Sequence, residues 1–110
     1  MRLPADTIIA REKLTNYLLI FRTEDDKSRW LASAGYTLEK PELLENDLRT
    51  QILSREVTAI DSNPFGEIYI IEGELKGPNG KLLAVRSVWL KVALSGIVKF
   101  VTLYPNKKGQ

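Results

Sequence analysis

The stretch "EIYIIEGELKGPNGKLLAVRSVWLKVAL", Glu67 to Leu94, decides the fold. Two runs rich in Ile, Val, Leu and aromatic residues flank Pro78 and the dipeptide Asn79-Gly80. β-Branched and aromatic side chains favour strands. Asn-Gly accepts the left-handed backbone of a tight hairpin turn, and proline pre-sets a turn entry. The stretch therefore predicts two antiparallel strands joined by a hairpin. Before it, "NPFG" (Asn63–Gly66) is a turn signal and "REVTAID" (Arg55–Asp61) a strand. After it, Ser95-Gly96 makes a turn and "IVKFVTLYP" (Ile97–Pro105) a last strand. Pro105 ends that strand because it cannot donate to a ladder.

The half upstream reads helical. In "REKLTNYLLIF", Leu14, Tyr17, Leu18 and Phe21 fall at the spacing of one apolar helical stripe. "DTIIA" before it (Asp6–Ala10) reads as a brief strand or an extended lead-in. "TEDDKSRWLASAGY" begins with Thr23, a capping residue. Glu24, Asp25 and Asp26 suit the positive end of a helix, and Gly35 suits a left-handed stop. In "PELLENDLRTQIL", Pro41 fits a first turn, and Leu44, Leu48 and Ile52 share a face. Helices followed by a four-strand meander predict an α+β fold, with N-terminal helices packed on one face of a four-stranded antiparallel sheet. The other face is left for solvent or a ligand. No repeat or linker divides the sequence, and 110 residues fit one domain spanning 1–110.

Composition narrows the chemistry. Hydrophobic residues make up 44% and charged residues 27%, as in soluble globular proteins. There is no cysteine, which excludes disulfides and thiolate metal sites. There is no histidine, which removes the commonest metal ligand, the usual proton shuttle at neutral pH and any Ser-His-Asp triad. Only scattered carboxylates are left as metal ligands, so neither a metal nor a cofactor is expected. A net charge of +2 does not by itself mark a nucleic-acid binder. Lys107 and Lys108 read as a solvated tail. No stretch is apolar enough to span a bilayer, and the first residues lack a signal-peptide pattern, so the expected compartment is the cytoplasm.

Arg, Lys, Tyr, Thr and carboxylates are left to do chemistry. On the strand after the hairpin, Ala84, Arg86, Val88, Leu90 and Val92 share a face that reads as buried. An Arg on such a face needs a partner. It pairs with Glu72 or Glu74 on the neighbouring strand, or it clamps a phosphate bidentately. On the last strand, alternation puts Val98, Phe100, Thr102 and Tyr104 on one face and Ile97, Lys99, Val101 and Leu103 on the other. Thr102 reads as a strand former and Tyr104 as a core or rim aromatic. Trp89 is a core residue or a stacking platform for a nucleobase. Lys27 and Arg29 read as a solvated helix face, with another role open to them if that helix lies beside the open side of the sheet. Glu72 and Glu74 share a strand face and form a carboxylate pair.

"REKLTNYLL", "KSRWLASAGY", "ELLENDLR", "FGEIYIIEGELKGPNGK", "VRSVWL" and "VTLYP" occur in that order. Together they resemble a family of small bacterial proteins of unknown function, over nearly the full chain. Its members occur alone and as modules of bacterial toxin systems. More remotely, the layout is similar to the barnase, EndoU, colicin-tRNase and RelE superfamily, whose concave sheet face cuts RNA. That resemblance implies a metal-independent endoribonuclease with RNA as substrate and a small antitoxin-like protein as partner. It implies Arg86 as phosphate clamp, Lys27 or Lys13 as base, and Thr102 and Tyr104 as positioners or proton donor. Lys13, Arg29, Trp89 and Lys99 would contact substrate. Alternatives on the same fold are a non-catalytic antitoxin- or immunity-type partner and an RNA-binding module. If Arg86, Thr102, Tyr104 and a lysine converge, the enzyme reading gains.

Overall fold

The computed structural model describes residues 1–19 and 27–106. The expectations for Phe21, for Thr23 to Asp26, and for Lys107 and Lys108 lie outside the described residues.

Among the described residues three short helices precede the sheet. Helix α1 (Arg11–Lys13) widens into a π-helical segment, Leu14–Leu18. Helix α2 covers Ser28–Ala32, and Gly35 beyond it takes φ +99°. That is the left-handed conformation expected of a helix stop. Helix α3 (Pro41–Asp47) starts with proline in its first turn and widens into a second π-helical segment, Leu48–Ile52. The expected stripe holds, because Leu44, Leu48 and Ile52 are all fully buried.

Four strands follow: β1 (Ala59–Asn63), β2 (Gly66–Lys76), β3 (Leu82–Val92) and β4 (Val98–Pro105). They pair antiparallel in the order β1-β2-β3-β4, the predicted meander. Gly66, at the β1–β2 turn, has φ +153°, and a Cβ there would lie 2.0 Å from the Lys91 carbonyl oxygen. Only glycine lets the two turns at this end of the sheet approach so closely.

The core lies between the helices and one sheet face. Leu14, Leu18, Leu31, Leu44, Leu48 and Ile52 meet Ile71 and Leu75 of β2, Val85 and Trp89 of β3, and Phe100 and Leu103 of β4. Each such side chain contributes about 1.5–3 kcal/mol by leaving water. Trp89 and Phe100, partners across β3 and β4, meet edge to face with ring centroids 5.1 Å apart.

Two face assignments read from alternation are corrected. On β3 the buried residues are Leu83, Val85, Ser87 and Trp89; Arg86, Val88, Leu90 and Val92 are half-buried on the outer face and Ala84 is exposed there. Both faces of β3 carry aliphatic residues, so hydrophobicity does not tell them apart. Ser87 can occupy the core because its hydroxyl donates to the Ile71 carbonyl at 2.8 Å and accepts from Trp89 Nε1 at 2.7 Å. On β4 a β-bulge breaks the alternation. Val88 pairs with Thr102 but Trp89 pairs with Phe100, which leaves Val101 as an extra residue. The register places Val98, Phe100 and Leu103 toward the core, and Lys99, Thr102 and Tyr104 on the outer face beside Leu90, Val88 and Arg86.

The "DTIIA" lead-in makes one parallel bridge, Ile8 with Lys99. Ile8 N–H donates to the Val98 carbonyl and Phe100 N–H to the Ile8 carbonyl, at 3.0 and 2.8 Å. The chain thus caps the free edge of β4 just before the bulge. Strand β1, at the opposite edge, is exposed along its length. Among the described residues no helix is long and apolar enough to cross a membrane.

Candidate functional site

The bulge at Val101 aims Thr102 and Tyr104 at the side where Lys27 arrives. Lys27 precedes α2, and its carbonyl accepts from Leu31 N–H. This position ordinarily favours Ser, Thr, Asp or Asn, and the helix dipole disfavours a cation there. Lysines are also rarely buried. Lys27 is nevertheless only 8% exposed, so the expectation of a solvated face is corrected. Where local preferences are broken together, a functional demand is the usual reason.

Lys27 Nζ donates to Thr102 Oγ1 at 3.1 Å and to Tyr17 Oη at 3.0 Å. It lies 5.0 Å from the Tyr17 ring centroid and 5.8 Å from that of Tyr104. Both distances are within the range of cation–π attraction. The π-helical segment carries Tyr17 and keeps Leu14 and Leu18 in the core. Tyr17, expected from its spacing only as part of an apolar stripe, is thus a member of the site. The one available signal was its hydroxyl, a polar handle in an aliphatic run.

Arg86 stands directly opposite Tyr104 in the β3–β4 register and opposite Glu72 in the β2–β3 register. Its Nη1 lies 3.6 Å from Glu72 Oε2, with the side chains 40% and 20% exposed. Of the two carboxylates considered as partners, Glu72 is therefore the one that pairs. The pair is too long for a hydrogen bond. Arg86 Nε is buried and has no hydrogen-bond partner among the described residues. An unsatisfied buried donor costs about 1–3 kcal/mol, which an incoming oxyanion would relieve. Thr102 lies diagonally from Arg86, where side chains start about 7–8 Å apart.

The other expected contacts are more dispersed. Lys99 is exposed on the outer face, on the far side of the bulge from Thr102. Lys13 is exposed one turn before Tyr17, and Arg29 is exposed on α2. Trp89 is excluded as a stacking platform because it is wholly buried and its indole N–H is taken by Ser87. Among the described residues no three carboxylates stand close enough together to hold a metal ion.

Residues 4–107 match the family described as "Domain of unknown function (DUF6883)". The chain belongs to that family. No curated protein matches it. Among solved structures it is similar to a chain of the contact-dependent growth inhibition toxin–immunity protein complex from Klebsiella pneumoniae 342. The TM-score is 0.62 at 15% identity, over 91% of this chain and 100% of that one. At this identity the likeness is one of fold.

Proposed function

We propose that this DUF6883 chain is a metal-independent endoribonuclease, the toxin component of a bacterial toxin system neutralised by a small protein partner. The observation that carries the reading is the convergence of Lys27 Nζ on Thr102 Oγ1 and the Tyr104 ring. Arg86, with its orphaned Nε, stands opposite Tyr104. The fold likeness to a chain of a toxin–immunity protein complex supports a place in such a pair and a protein partner.

RNA self-cleavage needs little beyond charge and proton transfer. The 2′-oxygen attacks phosphorus and loses its proton to a base. The P–O5′ bond then breaks, and the 5′-oxygen takes a proton from an acid. A 2′,3′-cyclic phosphate and a 5′-hydroxyl result. Lys27 donates to two hydroxyls and lies against two aromatic rings, an arrangement that suits a cation. In this proposal it stabilises the charge of the pentacoordinate phosphorus, and Arg86 clamps a second oxygen. Thr102 fixes the ammonium. Tyr104 supplies the acid hydroxyl, and Glu72, beside Arg86, is the base within the same row. The test is incubation of total tRNA and mRNA with protein in a chelator, followed by end-group analysis. Cyclic phosphate ends are expected; 3′-hydroxyl ends would contradict this chemistry.

A second reading is a protein-interaction domain. It draws on the pairing of Arg86 with Glu72, which would then be structural.

A further inference from the structure

The outer sheet face continues past the bulge into a pocket that the phosphate-handling row does not use. Pro64, Phe65, Leu90, Val92, Leu94 and Lys99 line a cavity of about 520 Å³. Phe65 is 75% exposed and Leu94 fully exposed, at the tips of the β1–β2 and β3–β4 turns. Neither tip hangs loose. Asn63 Oδ1 accepts from the N–H groups of Phe65 and Gly66 at 2.8 and 3.1 Å. Ala93 N–H donates to the Phe65 carbonyl at 2.9 Å, which ties the two tips together. An exposed aromatic and an exposed leucine carried side by side on pinned turns mark a binding surface.

The register sets this pocket's relation to the proposed site. Leu90 pairs with Lys99, and Val88, two residues earlier on the same face, pairs with Thr102. Two strand residues span about 7 Å. A strand whose phosphate sits at Thr102 and Arg86 therefore lays an adjoining nucleotide over Leu90 and Phe65. Lys99 on the pocket floor meets that nucleotide's phosphate. An aromatic platform beside a cation is the arrangement that binds single-stranded nucleic acid.

We infer that Phe65, Leu90, Leu94 and Lys99 form a nucleobase subsite for single-stranded RNA, beside the phosphate row. This inference rests on the nuclease reading and adds its substrate class, an unpaired strand with one base held by stacking. It also supplies the stacking surface that Trp89, buried in the core, does not provide.

The test uses the full chain and a mixed-sequence single-stranded RNA whose cut position has been mapped. Each base flanking the cut is replaced in turn by an abasic residue. One replacement raises KM about tenfold for the unmodified protein. Phe65→Ala raises KM to the same level on the intact RNA, leaves kcat within about twofold, and makes the abasic replacement silent. Lys99→Met lowers by about 0.7 the salt slope for binding a 2′-O-methyl oligonucleotide of the same sequence. Melting and circular dichroism of the two variants stay unchanged, because both residues are exposed. If the RNA is cut but Phe65→Ala leaves KM unchanged, the subsite is wrong and the nuclease stands. If Phe65→Ala weakens only the binding of an inhibitory protein, the pocket is a protein-docking surface and the subsite is wrong. If the unmodified protein neither cuts RNA nor binds the 2′-O-methyl oligonucleotide, both readings fall.

Discussion

Lys27 donates to Thr102 across 75 residues of sequence, joining the start of α2 to the strand that ends the sheet. This bond binds the helical half of the chain to the outer face of the β half. Lys27→Met keeps the length and apolar stem of the side chain and removes only the charged donor. RNA cleavage is expected to fall about 100- to 1000-fold, as when one electrostatic stabiliser of a transition state is lost. Thr102→Val removes the acceptor alone and should produce a smaller loss. Initial rates under chelation measure both.

Arg86 separates the catalytic reading from the structural one. Its pair with Glu72 is partly solvated, and such pairs are worth about 0–1 kcal/mol. Arg86→Ala should therefore abolish cleavage while shifting the melting temperature by only a few degrees. A variant that fails to fold would place Arg86 in a structural ion pair.

The bulge gives a test of how the site is aimed. Deleting Val101 removes the extra residue and restores strict alternation on β4, with Phe100 and Leu103 still toward the core and Thr102 still outward. The deletion should therefore fold, but lose the local bend and added twist that a bulge gives its strand, and with them the aim of Thr102 at Lys27. RNA cleavage should fall in the deletion and persist in Val101→Ala, which keeps the extra residue. Initial rates, with circular dichroism to confirm folding, compare the two.

The sequence carried the meander plainly and the site only in part. Asn79-Gly80 and the Ile- and Val-rich runs around it specify the hairpin by local chemistry alone. Leu44, Leu48 and Ile52 specify α3 by spacing, a pattern that survives its change to a π-helical segment. Lys27, Arg86, Thr102 and Tyr104 were legible as residue types suited to phosphate chemistry. Their facing was not, because Val101 carries no mark of a bulge, and β3 is aliphatic on both sides. Trp89 was ambiguous because an indole suits a core as well as a base, and the partner that settles it, Ser87, looks like a surface residue. Nothing in the spacing of Tyr17 and Lys27 announces that they meet.

Tyr36 reports on stability at alkaline pH. Burial, and then its hydrogen bond to Asp47 Oδ2 at 2.7 Å, push its phenol far above the ordinary tyrosine range. The unfolded chain releases this proton near pH 10, whereas the folded chain retains it. Its contribution to stability is thus complete below about pH 10 and is lost as the pH rises beyond that. Stability should decline above about pH 10 in the native chain and decline less in Tyr36→Phe. Denaturant unfolding between pH 8 and 11 measures the difference.

The most direct test is cleavage of single-stranded RNA by the purified chain in excess chelator, with Lys27→Met and Arg86→Ala alongside. The account predicts cutting by the native protein, cyclic phosphate ends, and loss of cutting in both folded variants. Native protein that leaves RNA intact across the pH range, or variants that cut as well as it does, would contradict the account.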